Sequence, residues 1–152
     1  MIKQYVCLLM SSVLISGGTG LIGSEVAAHL TQLGYTLKIL TRRPTDVSQN
    51  LYNWDITKGE IDPKAWEGTE YVINLAGSSI IGGRWTDKRK KELIKSRVDS
   101  TSLLVKTIQE NNITIQHFIQ ASAMGYYGDS VDQVLTEDSP AGNDFMAKLC
   151  VD

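Results

Sequence analysis

The chain has 152 residues, of which 42% are hydrophobic and 21% charged. That is the length of one ordinary domain with enough apolar content to bury a core, which excludes a disordered chain and a collagen-like repeat. The 15 Lys and Arg against 17 Asp and Glu leave a formal charge of −2. No basic excess exists to neutralise a run of phosphates, so nucleic acid is not an expected partner.

Cys7 and Cys150 lie far apart, neither belongs to a Cys-x-x-Cys pair, and His29 and His117 complete the set of soft ligand candidates. Nothing in this spacing points to a metal site. Two thiols in a weakly acidic chain read as reduced and cytoplasmic. Near the amino terminus, Tyr5 to Met10 and Val13 to Ile15 are apolar, but Ser11 and Ser12 split them. The run then flows into Ser16-Gly17-Gly18-Thr19-Gly20, which needs a strand in front of it rather than a signal peptide. Met10 is a plausible alternative start, leaving residues 1–9 as an extension. No run reaches the roughly 18 apolar residues of a membrane span, so no membrane partner is expected.

Val13 to Ser16 predicts a short buried strand. From Leu21 to Gly34, the residues Ile22, Val26, Leu30 and Leu33 recur at helical spacing and Gly34 is the stop. Tyr35 to Thr41 alternates as a strand, ended by Arg42-Arg43-Pro44. Leu51 to Trp54 is a weaker third strand closed by Asp55, and Trp66 to Thr69 reads as part of a polar connection. Tyr71 to Leu75 is a fourth strand. Asp87 to Asn111 is a long helix with Ile94, Val98, Thr101, Val105 and Ile108 on one face; its charge run Lys88 to Glu92 is a solvated face. His117 to Ala121 is a fifth strand, and a loop through Asp144 precedes a helix from Phe145 to Val151. Apolar strands separated by helix-length crossovers predict an α/β domain, a Rossmann-type doubly wound parallel sheet over residues 1–152 without an internal boundary.

The segment Gly17-Gly18-Thr19-Gly20-Leu21-Ile22-Gly23 stands between the first strand and the first helix. In such a G-x-x-G-x-x-G pattern one glycine makes the tight turn, one admits a pyrophosphate to the backbone, and one lets helix and strand pack closely. The amides at the helix start then face the phosphate charge. The bland alternative is a structural glycine turn. An NAD site presents Asp or Glu at the end of the second strand; this chain presents Thr41-Arg42-Arg43. Two guanidinium groups suit a 2′-phosphate, which favours NADP(H) over NAD(H).

Several segments together carry a family resemblance: the glycine turn, Thr41 to Pro44, Val72 to Gly77, Ser96-Arg97-Val98 with Ser100-Thr101, Ser122 to Gly128, and Thr136 to Phe145. On these the chain resembles the extended, epimerase/dehydratase type of the short-chain dehydrogenase/reductase superfamily. Within it, the chain is similar to an NAD-dependent epimerase/dehydratase-like subgroup sometimes labelled a cell-division inhibitor. The resemblance runs from about Met10 to the last residue. It implies that Asp55 and Ile56 contact adenine and that Leu75, Ala76 and Gly77 line the cofactor. The superfamily works with a Tyr-x-x-x-Lys pair and a nearby Ser or Thr, and none of the six tyrosines here has a lysine four residues later. Phe145 stands at the tyrosine position, Lys148 is one position early, and Arg97 replaces a helix asparagine. Ala123 falls where the hydroxyl is expected, with Ser122 just before it. Ser122, Tyr126 and Tyr127, following the fifth strand, are the remaining candidates for acid/base chemistry.

Extended members run to about twice this length, so the chain reads as the amino-terminal cofactor half without the carboxy-terminal substrate domain. The expected function is an NADP(H)-binding domain of an epimerase- or oxidoreductase-like protein acting on a nucleotide-sugar or carbonyl substrate. The alternative is a catalytically silent NADP(H)-binding module, a sensor or scaffold. An apolar stripe at Val98, Val105 and Ile108, and the surroundings of Phe145, are expected to be uncovered and to drive self-association.

Overall fold

Val13, Leu14 and Ile15 carry no polar side chain, and a segment that is apolar at every position must be covered on both faces. In the computed structural model, which describes residues 11–81, 83–129 and 133–152, all three are at most 2% exposed. They belong to β1 (Ser12–Ser16), flanked in parallel by β2 (Thr36–Thr41) and β5 (Thr69–Asn74). β3 (Leu51–Asp55) extends the sheet beyond β2, and β6 (His117–Gln120) beyond β5. A two-residue antiparallel strand, β4 (Glu60–Ile61), completes the order β4-β3-β2-β1-β5-β6. The parallel strands have the Rossmann arrangement, with the strand order reversing between β1 and β5. Such a reversal opens a crevice at the carboxyl ends of the two strands. Cys7 and the candidate start at Met10 lie outside the described residues.

Helix α1 (Leu21–Gln32) connects β1 to β2. The opposite face carries the core of Leu14, Leu40, Tyr52, Trp54, Val72, Leu103 and Leu104. Leu103 and Leu104 come from the long helical segment, which differs from the expected single helix. It consists of α2 (Asp87–Ile94), a wider π-turn over Lys95–Asp99, and α3 (Ser100–Glu110). The π-turn adds a residue to one turn of helix, and on both sides of it the stripe read at α-helical spacing lies beside the buried face rather than on it. Leu93, Ser100, Leu103 and Leu104 are buried, whereas Ile94 and Val105 are 36% and 37% exposed. Ile108 packs against the core.

The segment Trp66 to Thr69 is also corrected. Trp66 and Thr69 are 8% and 4% exposed, and Thr69 opens β5 two residues earlier than the pattern indicated. Polar neighbours concealed a core anchor here. Lys38 explains how the region closes: its Nζ donates to the carbonyls of Lys64 (3.2 Å) and Glu67, and lies 5.6 Å from the Tyr52 ring centroid. Burial pushes the Lys38 pKa down, opposed by the nearby Glu67 charge. Crossovers on the β3 side are 3₁₀ turns rather than full helices, at Val47–Gln49 and Pro63–Ala65.

Asp62 ties two of these connections together. Its carboxylate accepts from the Thr45 hydroxyl and from the Lys64 N–H (2.9 Å), and the Thr45 oxygen accepts from the Asn53 N–H (2.9 Å). The Thr45 hydrogen bond, then the Lys64 amide, hold this carboxyl below its ordinary value of 3.8. Because the folded pKa lies below the unfolded one, the stabilisation is present above the unfolded pKa and is lost as pH falls through the folded value. Asp62→Asn should therefore lower the melting temperature near neutral pH, and the gap to wild type should close below about pH 4. Melting curves of both proteins across this range check it; a gap unchanged down to about pH 3 would contradict the assignment.

Candidate functional site

β1 ends at the glycine turn. Gly17 has φ +70°, and a Cβ there would lie 2.7 Å from the Leu75 carbonyl oxygen, so the turn is pressed against the segment leaving β5. A Cβ on Gly18 would strike the Ile39 side chain, and one on Gly23 would overlap the Gly17 carbonyl group and the Gly18 Cα. Gly23 is thus the glycine that lets α1 approach the strand. Gly20 differs: its φ is −82°, and an added Cβ would meet only the Gly17 oxygen at 3.2 Å. It caps α1 without a side-chain hydrogen bond. The first N–H groups of a helix have no intrahelical partner, and together with the helix dipole they favour an anion.

A cleft of about 610 Å³ opens in front of this turn. Gly17, Thr19 and Gly20 line one side, Leu75, Ala76 and Gly77 another, and Thr41, Arg42, Arg43 and Ile56 a third. Sequence reasoning missed Trp54, Ser78 and Ser96, which line it too. Leu21 and Ile22 do not line it: their side chains are 87% and 67% exposed, and only their backbone belongs to the turn. An adjoining cavity of about 370 Å³ is lined by Arg42, Asp55, Ile56, Thr57 and Lys95, among others. Asp55 is engaged within its own turn, accepting from the N–H groups of Thr57 (2.8 Å) and Lys58 (3.1 Å). Arg42 and Arg43 are exposed, and among the described residues neither has a carboxylate within 4.0 Å.

Below the cleft a polar network joins the strand ends. The Ser16 hydroxyl donates to Asn74 Oδ1, and Asn74 Nδ2 donates to Thr101 Oγ1 (3.0 Å) and Gln120 Oε1 (2.8 Å). Thr101 in turn donates to the Arg97 carbonyl (2.9 Å). Asn74 is fully buried, and its side chain offsets the cost of burial through these hydrogen bonds. The network fixes Leu75, Ala76 and Gly77: the Ala76 N–H reaches both Ser16 Oγ (3.2 Å) and Asn74 Oδ1 (3.3 Å). The π-turn holds the next residue. Ser96 Oγ accepts from the Ser78 N–H (2.9 Å), and Arg97 Nη2 donates to the Ser78 carbonyl (3.0 Å).

A further cavity, of about 330 Å³, shares Leu75, Ala76 and Gly77 with the cleft. Ser122 lines it, as do Arg97, Met146, Leu149 and Cys150. Tyr126 and Tyr127 are not in its lining; they form the 3₁₀ turn Met124–Tyr127, with half-buried rings stacked edge to face at 5.1 Å. Helix α4 (Phe145–Val151) packs on that turn, its amino end capped by Asp144, which accepts from the Ala147 N–H (2.8 Å). Phe145 is clasped by the Trp85 ring (5.7 Å) and by Lys90 Nζ (5.4 Å from its centroid). Lys148 is exposed, and Leu149, four residues after Phe145, is buried. Phe145 thus brings no hydroxyl to this helix and Leu149 no ammonium. Among the described residues no group of three or more His, Cys, Asp and Glu could hold a metal ion. No helix among them is long and apolar enough to cross a membrane.

Residues 13–150 match the model of the NAD dependent epimerase/dehydratase family. The chain belongs to this family. It is 38% identical over 140 residues to the epimerase family protein Mb2239 of Mycobacterium bovis, and 34% over 139 residues to the epimerase family protein YfhF of Bacillus subtilis. These alignments cover 92% and 90% of this chain but 46% of either relative, so the chain spans about half the length of the curated relatives it matches. The crystal structure of the human epimerase family protein SDR39U1 with NADPH superposes with a TM-score of 0.79 at 29% identity, covering 92% of this chain and 46% of that one. A UDP-galactose 4-epimerase, 16% identical with a TM-score of 0.73, shares the fold.

The glycines of the turn are expected to separate by mutation. Gly23→Ala should cost about 1–3 kcal/mol or more, because the new methyl meets fixed backbone. Gly20→Ala should cost under about 1 kcal/mol, the difference between these residues at a helix cap. Denaturant unfolding checks both; a Gly20→Ala penalty equal to that of Gly23→Ala would mean that Gly20 serves packing alone.

Proposed function

We propose that this chain is an NADP(H)-binding Rossmann domain of an epimerase- or oxidoreductase-like protein. The observation that carries the reading is the pair Arg42 and Arg43 at the end of β2, beside the cleft and without a carboxylate partner among the described residues. In this reading the pyrophosphate lies on the amides of Gly17 to Gly23, with the adenosine half against Arg42, Arg43, Asp55 and Ile56. The far half then runs along Leu75, Ala76 and Gly77. The bound dinucleotide supplies hydride transfer; the chain's own residues bind and orient it. NADPH in the human relative supports the same choice, while other family-fold neighbours hold NAD.

Ser122 is the candidate hydroxyl beside the far half, since it lines the adjoining cavity; Tyr126 and Tyr127 are the candidate acid/base groups on the next turn. A second reading, a module that holds NADP(H) without turnover, is favoured by the clasped Phe145 ring and the exposed Lys148. A nucleotide-sugar or carbonyl substrate, and self-association through α2 and α3, belong to the first reading. Ile94 and Val105, 36% and 37% exposed, are the apolar groups that such association would cover. Light scattering tests that part, and a monomer at high concentration would remove it.

Calorimetric titration tests the cofactor. NADPH should bind more tightly than NADH, and Arg42→Ala should weaken NADPH by about 1.5–3 kcal/mol, the range for hydrogen bonds to charged groups, with little change for NADH. Equal affinities for the two dinucleotides would overturn the preference.

A further inference from the structure

The π-turn turns Arg97 toward the carboxyl ends of the strands, where its guanidinium lies against the backbone of Gly77. A Cβ at Gly77 would be 3.0 Å from Arg97 Cζ and 3.3 Å from Nε. Every hydrogen-bond partner of the guanidinium is neutral: Nη2 donates to the Ser78 carbonyl (3.0 Å), and Nη1 to the Leu93 carbonyl (3.4 Å) and Ser96 Oγ (3.3 Å). Three of its five N–H groups are used in this way, and Nε–H is not among them. Among the described residues no carboxylate lies within 4.0 Å of it. The charge is half-buried in the wall of the 330 Å³ cavity, otherwise built mainly from apolar groups such as Leu75, Ile80, Val98, Met146 and Leu149. The other charged side chain in that lining is Asp152, which is exposed. Burial pushes the Arg97 pKa down, with a smaller contribution from Arg89 and an opposing one from Cys150. A half-buried guanidinium with free N–H donors and, among the described residues, no counter-ion beside it is a ready partner for an anion.

We infer that this cavity binds a small carboxylic acid with an apolar body, its carboxylate paired with the Arg97 guanidinium. The planar fork of N–H donors matches a carboxylate, and the apolar lining accommodates the remainder of the molecule. The Arg97 guanidinium suits one carboxylate on the ligand, while the Asp152 side chain at the rim of the same lining is exposed. Because Ala76 and Gly77 border both the cavity and the dinucleotide cleft, an acid held here lies beside the far half of the dinucleotide. As a substrate class, this assignment rests on the NADP(H) reading: it narrows the carbonyl substrate to one bearing a carboxylate. The anion site itself does not depend on that reading and is measurable without dinucleotide.

The test titrates the full chain with 3-phenylpropionate and with its neutral counterpart, 3-phenylpropanamide, with and without NADPH. The acid should bind at least about tenfold more tightly than the amide, and added salt should narrow the difference. In Arg97→Gln the preference should fall to within about twofold, and Arg97→Lys, which keeps the charge but not the fork, should retain part of it. The comparison of acid with amide on the wild-type chain stands even if a variant fails to fold. Equal binding of acid and amide, absence of acid binding, or a preference undiminished in folded Arg97→Gln would overturn the inference. Acid binding without any NADPH binding would instead keep the anion site and remove the cofactor reading.

Discussion

The first turn of α1 touches the loop that precedes it, backbone against backbone, because position 23 has no side chain. A methyl group there would overlap the Gly17 carbonyl, and one at Gly17 would strike the Leu75 carbonyl. These two approaches bring three things to one place: the end of β1, the amino end of α1 and the segment leaving β5. The reversal of strand order between β1 and β5 provides the crevice, and the glycines keep it clear of side chains. Arg42 and Arg43 reach the same crevice from β2, whose register with β1 is fixed by five paired residues from Ser12 and Thr36 to Ser16 and Leu40.

Beneath the crevice, rigidity comes from polar rather than apolar contacts. Ser16, Asn74, Thr101 and Gln120 belong to three strands and the long helix, and their hydrogen bonds hold the strand ends in register. Ser96 and Arg97 extend that hold to Ser78. The two cavities on either side of Leu75, Ala76 and Gly77 share these residues as a common wall. A single residue in the π-turn serves both, bonding the backbone beside that wall and presenting charge to the second cavity. π-bulges inside helices occur often at functional positions, and the location of this one fits that tendency.

Most of the fold was legible because its signals are local. The apolar run at Val13 to Ile15, the helical spacing from Ile22 to Leu33 and the glycine turn each carry their meaning within a few residues. The family-level reading of the cleft was legible for the same reason, since Gly17 to Gly23, Arg42, Arg43 and Leu75 to Gly77 lie in short segments. What escaped depends on distant partners. Trp66 and Thr69 look polar in their neighbourhood; Trp66 is buried because it joins the core of Leu14, Trp54 and Val72, and Thr69 because it opens β5 beside β1. The π-turn leaves no mark in the pattern, since Ile94, Val98 and Thr101 step at spacings that an uninterrupted helix would also show. Leu21 and Ile22, though part of the same local motif, are exposed and fall outside the lining of the cleft.

In the proposed function, the crevice in front of Gly17 to Gly23 holds an NADP(H) molecule whose 2′-phosphate is read by the arginines after β2. A crystal structure of the chain grown with NADPH tests it most directly. The pyrophosphate should lie on the amides of the glycine turn, with the 2′-phosphate within hydrogen-bonding distance of Arg42 or Arg43. A dinucleotide bound elsewhere, or one in this crevice with its 2′-phosphate directed into solvent away from both guanidinium groups, would contradict it.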